Sequence, residues 1–271
     1  MDKTVSLGSA NGTITPPSSK SYAQRAIALA LLAEGRTTLR NIEFCKDTRS
    51  AISCIEALGA KVSYLDESTI AIDGGLHPVT DTLMVGESGL ATRLFTPIAS
   101  LNSTPICIKG EGTLLHRPMM MMIEPLRRLG VEVRDGGGHL PIEVKGPIHG
   151  GNIEVDGSFS SQFITGLLLA LPLAKEDTTL HVRSAVSTPY IDMTIDTAKR
   201  FGVEIMHHEG DYSEFYIEGG QKYTPADLAI EGDWSGASTM LVAGAISGRV
   251  TVKNLSTLSK QADTAICRAL E

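Results

Sequence analysis

The chain has 271 residues, of which 42% are hydrophobic and 20% charged, a balance that is typical of folded domains and excludes an intrinsically disordered protein. Its formal charge of −7 argues against a nucleic-acid binder, because such proteins neutralise phosphates with an excess of Lys and Arg. The sequence has no apolar run of the roughly 18 residues that a membrane helix needs, and its first residues do not resemble a signal peptide. We therefore expect a cytoplasmic protein that contacts neither nucleic acid nor membrane.

Helical and strand-like patterns alternate along the chain after an opening strand that ends near Ile14. Helices are predicted from apolar or amphipathic runs at 26–33, 50–58, 90–99, 120–129, 163–171, 191–201, 237–246 and 261–271. Strands are predicted from short alternating runs at 37–42, 61–64, 69–72, 104–109, 132–134, 142–145, 152–155 and 178–182. This order of elements predicts an α/β fold.

One phrase occurs three times and gives the chain an internal repeat. Its copies surround Gly59, Gly130 and Gly202, about 71 residues apart. Each glycine follows an amphipathic stretch and precedes an alternating apolar run, which predicts a helix, a glycine that ends it, and a strand. Because the helices at 26–33 and 163–170 are apolar on nearly all sides, we expect units with buried helices and outer sheets.

A second phrase, rich in Ser and Gly, precedes four of the apolar helices. Its copies lie at 17–21, 86–89, 157–161 and 232–236. Helix starts of this kind leave backbone N–H groups that attract anions, although a single one is usually no more than a helix cap. If the units pack about a pseudo-threefold axis, several starts would converge and form one anion site.

Two places in the chain are expected to be domain joints. They are the paired prolines Pro16 and Pro17, and the segment 230–233. We predict a first domain of three units at 16–230, with 1–15 and 231–271 forming an incomplete part of a second domain. The fourth Ser/Gly start opens a unit whose Leu-Gly-strand phrase would follow Glu271, so we expect a truncated chain.

The residues with the strongest chemical signal are cations and hydroxyls near the helix starts. Lys20 and Arg25 lie within two turns of one start, where an ammonium and a guanidinium suit a small polyanion. Further candidates of the same kind are Arg93, Arg117, Ser160, Ser161, Gln162, Ser187 and Tyr190. The four cysteines have no metal-ligand or disulfide spacing, and so no metal site is expected. The residues alone predict a site for small phosphorylated anions between the units.

Five segments, at 17–25, 86–93, 156–163, 187–192 and 231–233, resemble in order and spacing the signature segments of the 5-enolpyruvylshikimate-3-phosphate synthases. The resemblance implies the inside-out α/β fold of enolpyruvyl transferases, with two domains closing on the substrates. It also implies transfer of the enolpyruvyl group of phosphoenolpyruvate to the 5-hydroxyl of shikimate 3-phosphate, a step of the shikimate pathway to chorismate and aromatic amino acids. A monomer without a cofactor is expected.

The same resemblance implies roles for individual residues. Lys20 would be the catalytic residue and would contact both substrates. The residues implied for shikimate 3-phosphate are Lys20, Ser21, Arg25, Ser160, Ser161, Gln162, Ser187 and Tyr190. Those implied for phosphoenolpyruvate are Lys20, Gly89, Arg93, Arg117 and Gln162.

Two positions depart from the family pattern. Glu87 and Leu90 stand where many members carry Asn and Thr, which leaves open the affinity for phosphoenolpyruvate and for its analogue glyphosate. Because the principal acidic catalytic residues would lie beyond Glu271, this chain alone is expected to bind substrate weakly and not to turn over. Two alternatives stay open: a UDP-N-acetylglucosamine enolpyruvyl transferase of the same fold, and a non-catalytic anion-binding fragment.

Overall fold

The computed structural model describes residues 8–271. In this range the α-helices are α1 Lys20–Leu32, α2 Lys46–Ala57, α3 Gly89–Ala99, α4 Met120–Arg128, α5 Ser161–Ala170, α6 Thr188–Arg200, α7 Trp234–Ser247 and α8 Ile266–Leu270. The strands are β1 Asn11–Ile14, β2 Gly35–Arg40, β3 Lys61–Tyr64, β4 Ile70–Gly74, β5 Thr82–Met84, β6 Ile106–Lys109, β7 Glu132–Asp135, β8 Ile142–Lys145, β9 Gly151–Asp156, β10 Thr178–Arg183, β11 Glu214–Ile217, β12 Asp227–Ala229 and β13 Arg249–Val252. Short 3-10 helices span Gly112–His116, Leu171–Leu173 and Ala262–Ala265. The mixed α/β class predicted from the sequence is confirmed.

The sheets repeat one pairing pattern, as the internal repeat predicts. Their strand orders are β12-β2-β4-β3, β5-β6-β8-β7 and β11-β10-β9. In each sheet one parallel pair (β12 with β2, β5 with β6, β9 with β10) is followed by an antiparallel neighbour. Strand β12 comes from the far end of the third unit and pairs with the first strand of the first unit. It therefore joins the ends of this part of the chain into a ring.

The helices α1, α3 and α5 form the centre of the ring. Nearly all of their residues are buried, because beyond the polar residues of their first turns these helices are mostly apolar. Gly166 of α5 faces the carbonyl of Arg93 on α3 so closely that any Cβ atom would overlap it. The two helices can approach because this residue has no side chain. The apolar residues of these helices, together with the small residue at their contact, therefore explain why the helices lie inside and the sheets outside.

Two local predictions need correction. The run after Gly202 was predicted as a strand, but it forms an isolated bridge between Met206 and Tyr216, because the Glu204 N–H donates to the Gln221 side chain and not to a strand. The first helix begins at Lys20, six residues before the predicted apolar run. Its first turns carry the polar residues of the site, which an apolar pattern does not mark.

The segments before Pro16 and after Glu231 meet each other. Strand β1 pairs in parallel with β13, and Ser19 N–H donates to Glu231 O over 2.8 Å while Asp233 N–H donates to Pro17 O over 2.8 Å. Helix α7 lies beyond this double crossing, and its apolar residues Met240 and Ile246 are exposed. Of the helices described in residues 8–271, none has the length and apolar character to cross a bilayer.

Candidate functional site

Four helix starts converge on one cavity of about 250 Å³. Its walls come from the first turns of α1, α3, α5 and α6, and we call it the first pocket. The lining residues are Ser21, Arg25, Leu90, Ser160, Ser161, Gln162, Ser187 and Tyr190. Because a helix start presents unpaired N–H groups and the positive end of the helix dipole, this geometry favours an anion.

Capping hydroxyls shape three of these starts. The side chains of Ser19, Ser88 and Ser160 accept hydrogen bonds from the N–H groups of Tyr22, Ala91 and Gln162, respectively. The fourth start differs, since Ser187 adopts a left-handed backbone with φ of 54° and its side chain does not cap α6. That hydroxyl is therefore available to a ligand in the first pocket.

Arg25 is the cation of the first pocket, and it is only 1% exposed. Its Nε donates to Thr194 Oγ1 at 2.9 Å and its Nη1 to Ser21 O at 2.8 Å. Its Nη2 donates to Thr165 Oγ1 at 3.2 Å and to Tyr190 O at 3.1 Å. Every acceptor is a neutral oxygen, so these bonds fix the guanidinium without neutralising it.

Burial lowers the pKa of Arg25 to about 10, which leaves it charged at neutral pH. None of the ion pairs found within residues 8–271 involves this side chain. A buried cation without a counter-ion loses several kcal/mol of solvation free energy. An anionic ligand in the first pocket would restore that free energy.

A second cavity of about 300 Å³ adjoins the first, and we call it the second pocket. The two share Ser21, Leu90 and Gln162 as walls. The other residues that line the second pocket are Lys20, Gln24, Asp47, Glu87, Ser88, Gly89 and Arg117. Two ligands, one in each pocket, would therefore lie side by side.

Lys20 supplies an exposed ammonium to the second pocket. Its Nζ lies 3.0 Å from Asp47 Oδ2, and 58% of its side chain is exposed. The hydrogen bond and charge of Asp47 raise the pKa of Lys20. Exposed ion pairs of this kind contribute little free energy, so the ammonium is free to turn toward a stronger anion.

Arg93 and Arg117 approach each other beside Gly89. Arg93 Nη1 donates to Gly89 O and to Gln162 Oε1, both at 3.2 Å. Burial, with the neighbouring charge of Arg117, lowers the pKa of Arg93. A Cβ atom on Gly89 would lie 3.0 Å from Arg93 Nη1 and 3.2 Å from Arg117 Nη1. Glycine thus keeps open the space that both guanidinium groups face.

The structure brings ten of the eleven predicted site residues into the walls of the two pockets. The eleventh, Arg93, lies behind the wall and is 7% exposed. There it supports Gln162, while its Nε is buried and lacks a hydrogen-bond partner within residues 8–271. Arg93 therefore reaches the second pocket through Gln162.

Three residues of the second pocket, Gln24, Asp47 and Ser88, were not predicted as site residues from the sequence. Gln24 is 1% exposed; its Nε2 donates to Lys20 O at 3.3 Å and its Oε1 accepts from Ser88 Oγ at 3.1 Å. Its place one turn after Lys20 on the same helix face was a usable signal. Asp47, the partner of Lys20, lies at the start of α2, 27 residues further along the chain. No pattern in the sequence around Lys20 therefore indicated it.

The two departures from the family pattern both lie at the second pocket. Leu90 separates it from the first pocket and is 8% exposed. Glu87 Oε2 accepts hydrogen bonds from the backbone N–H and Oγ1 of Thr113, at 3.0 and 3.1 Å. These bonds, together with Lys46 and Arg117, lower the pKa of Glu87. An ionised carboxylate therefore stands at this pocket at neutral pH.

The family model described as EPSP synthase (3-phosphoshikimate 1-carboxyvinyltransferase) matches residues 6–271 of the chain. The chain belongs to the EPSP synthase family. A 3-phosphoshikimate 1-carboxyvinyltransferase of Serratia proteamaculans is 38% identical over 271 residues, which cover 96% of this chain and 63% of that protein. One of Haemophilus influenzae is 36% identical over 278 residues, which cover 98% and 64%. The chain thus spans less than two thirds of the length of these relatives.

Solved EPSP synthase structures share the fold. One from Acinetobacter baumannii superposes with a TM-score of 0.84 at 22% identity, covering 97% of this chain and 60% of the other. A second from the same organism gives a TM-score of 0.79 at 24% identity, with coverages of 90% and 55%. The inside-out α/β fold implied by the sequence resemblance is confirmed.

Proposed function

We propose that this chain binds shikimate 3-phosphate in the first pocket and phosphoenolpyruvate in the second. It does so as part of an enzyme that transfers the enolpyruvyl group to the 5-hydroxyl of shikimate 3-phosphate and releases phosphate. The observation that carries the proposal is Arg25, a buried and charged guanidinium held by neutral acceptors at the meeting point of four helix starts. Membership in the EPSP synthase family supports the choice of substrates.

In the first pocket, hydroxyls and helix starts would hold the phosphate of shikimate 3-phosphate. Ser160, Ser161 and Ser187 line it together with Arg25, and they offer donors that match phosphate oxygens. Tyr190 lines the same wall, and burial raises the pKa of its hydroxyl, so that it stays protonated and can donate. Ser21 and Gln162 lie where the two pockets meet and would contact both ligands.

In the second pocket, Lys20 and Arg117 would bind phosphoenolpyruvate in the space left by Gly89. The reaction requires protonation of the methylene carbon to a methyl group and addition of the 5-hydroxyl oxygen, which loses its proton, to the adjacent carbon. Phosphate then leaves that carbon while the new methyl group loses a proton, which restores the double bond. Lys20 is the proposed catalytic residue, because its ammonium can stabilise the charge that develops on the leaving phosphate. Arg93 would act on this site as a support for Gln162.

The proposal extends to the organisation of the whole enzyme. We assign 16–230 to a shikimate-phosphate domain, and 1–15 together with 231–271 to part of a second domain, with residues 1–7 outside the described range. The pairing of β1 with β13 and the double crossing at Pro17 and Glu231 support this division. We further propose a cytoplasmic monomer that needs no cofactor.

The test is a calorimetric titration of the chain with shikimate 3-phosphate, with UDP-N-acetylglucosamine as the comparison ligand. Saturable binding of the first ligand alone is expected. Arg25→Ala should abolish it, and Ser187→Ala should weaken it without the loss of a helix cap. Arg36→Ala is the matched control, because Arg36 is an exposed arginine paired with Asp73. Binding of the sugar nucleotide instead, or unchanged binding by Arg25→Ala, would contradict the proposal.

A further inference from the structure

Glu87 connects two turns that border the second pocket. It lies between Gly86 and the N-cap Ser88, just before α3. The backbone already holds this turn against the segment 109–113, since Val85 N–H donates to Lys109 O and Glu111 N–H donates to Gly86 O, both over 2.9 Å. The Glu87 carboxylate adds a side-chain connection from this turn to Thr113, two residues after Glu111.

That connection depends on a glycine. Glu87 Oε2 receives both the N–H and the hydroxyl of Thr113, and it passes directly over Gly112. Gly112 has a φ of 58°, and a Cβ atom there would overlap the carboxylate. The left-handed conformation and the missing side chain are thus both needed for the carboxylate to reach Thr113.

The turn that Glu87 holds leads directly to Arg117. Thr113 belongs to the 3-10 helix Gly112–His116, whose end is fixed by the N–H of Arg117 donating to Leu114 O over 3.1 Å. From there the guanidinium of Arg117 reaches the space beside Gly89. A displacement of Thr113 would therefore displace the cation that faces the second pocket.

The same carboxylate also brings a negative charge to a site built for anions. Glu87 lines the second pocket together with Lys20 and Arg117, and it is exposed to solvent. The two effects can be separated chemically. A glutamine keeps an oxygen that can accept from Thr113 but carries no charge, whereas an alanine loses both.

We propose that Glu87 is a positioning residue that holds the 112–116 turn and with it Arg117 in place, and that its charge weakens anion binding in the second pocket. This inference rests on the proposed function of that pocket. The glutamine and alanine variants differ in the hydrogen bonds but have the same charge. The wild type and the glutamine variant differ in charge but keep the hydrogen bonds.

The experiment measures the dissociation constant of phosphoenolpyruvate for the full chain by calorimetry. Glu87→Gln should bind about threefold to tenfold more tightly than wild type, as expected when one nearby like charge is removed at a solvated site. Glu87→Ala should bind about tenfold more weakly than Glu87→Gln, because the turn that carries Arg117 is released. Glu67→Gln, a charge change on an exposed loop, is the matched control and should equal wild type.

Two further measurements make the positioning claim specific. In an Arg117→Ala background, Glu87→Gln and Glu87→Ala should bind alike, since there is no guanidinium left to position. Independently of any ligand, amide hydrogen exchange at Thr113 should be faster in Glu87→Ala than in wild type, and Glu87→Gln should restore slow exchange.

The outcomes separate this inference from the function on which it rests. If Arg117→Ala weakens binding but the two Glu87 variants bind equally, the positioning role is wrong and the pocket assignment stands. If Glu87→Gln equals wild type, the effect of charge is wrong. If Arg117→Ala leaves binding unchanged, or if wild type does not bind phosphoenolpyruvate, both the pocket assignment and this inference are overturned.

Discussion

The first and second pockets share three wall residues, but they hold their cations in opposite ways. In the first, Arg25 is buried and fixed by four hydrogen bonds to neutral acceptors. In the second, Lys20 is exposed and paired with Asp47, and Arg93 and Arg117 face each other across Gly89. The first pocket is therefore preorganised, whereas Lys20 of the second pocket has a partner that a ligand must replace.

The difference indicates an order of events. A preorganised pocket loses little conformational entropy when its ligand binds, and its buried charge gains the most from an anion. The second pocket is lined by the guanidinium of Arg117, which Arg93 repels from behind the wall, and by one ammonium in a weak ion pair. We expect the ligand of the first pocket to bind first and more tightly. Titrations with each of the two proposed ligands, alone and in the presence of the other, can measure this order.

The sharpest test of the comparison replaces each arginine by lysine. Arg25→Lys should weaken shikimate 3-phosphate binding by about 100-fold, because a lysine cannot make the four fixed bonds and would shift in a buried site. Arg117→Lys should weaken phosphoenolpyruvate binding by less than about tenfold, because an exposed ammonium can still reach the anion. Equal losses in calorimetric titrations would show that the two pockets are held alike.

A smaller effect is expected from filling the space at Gly89. In Gly89→Ala, the new Cβ atom would crowd Arg93 Nη1 at 3.0 Å and Arg117 Nη1 at 3.2 Å, so both must move. We expect phosphoenolpyruvate affinity to fall about tenfold, roughly the effect of one charged hydrogen bond, and shikimate 3-phosphate affinity to fall less, because the first pocket shares only Gln162 with this region. A parallel loss for both ligands would argue against two distinct pockets.

Ser88→Ala tests how the second pocket is attached to α1. The variant loses the N-cap of α3 and the donor to Gln24 Oε1, which leaves a buried amide oxygen without its partner. Loss of such a cap lowers the free energy of unfolding by about 1 kcal/mol. Urea unfolding should show this change, and Ser158→Ala, an exposed serine in another helix-start segment, should not.

The smallest effect is expected from Asp47→Asn, which removes the partner of Lys20. Phosphoenolpyruvate should bind about twofold to threefold more tightly, in keeping with the small free energy of an exposed pair. Asp47 raises the pKa of Lys20 above its ordinary 10.5. The attraction between the two side chains is therefore fully present below pH 10.5 and is lost as the pH rises through the raised pKa. Titrations at pH 7 and pH 9 should therefore give the same ratio of the two affinities, which a ratio that falls by pH 9 would contradict.

The features predictable from the sequence are those that each unit repeats. The glycines at 59 and 130 end helices and precede strands as predicted. The Ser/Gly starts at 17–21, 86–89 and 157–161 converge on the two pockets, as pseudo-threefold packing predicts, whereas the start at 232–236 lines neither pocket. Both follow from local physics, namely the left-handed conformation of glycine and the capping by hydroxyls. Because each signal recurs in several units, the sequence predicted the common site as well as the single helix ends.

The features that were missed depend on contacts between distant residues. Ser88 meets Gln24 across 64 residues, and Lys20 meets Asp47 across 27. No periodicity encodes such pairs, since each exists only after two helices have packed. The strand predicted after Gly202 does not form for a related reason. The backbone N–H of Glu204 donates to the side chain of Gln221, 17 residues later, and not to a neighbouring strand.

Strand β12 has a consequence for how the molecule comes into being. It completes the first sheet beside β2, where Arg40 forms an ion pair with Asp227, 187 residues later in the chain. The hydrogen bond between Arg25 and Thr194 likewise joins residues 169 positions apart. A chain leaving the ribosome cannot form these contacts until nearly all of the ring has been synthesised, and such long-range closure is intrinsically slow. Until then the edge of β2 that β12 covers stays unpaired. We therefore expect nascent chains that end before β12 to keep this open strand edge and to depend on chaperones, and those that include it to close the ring in a single late step.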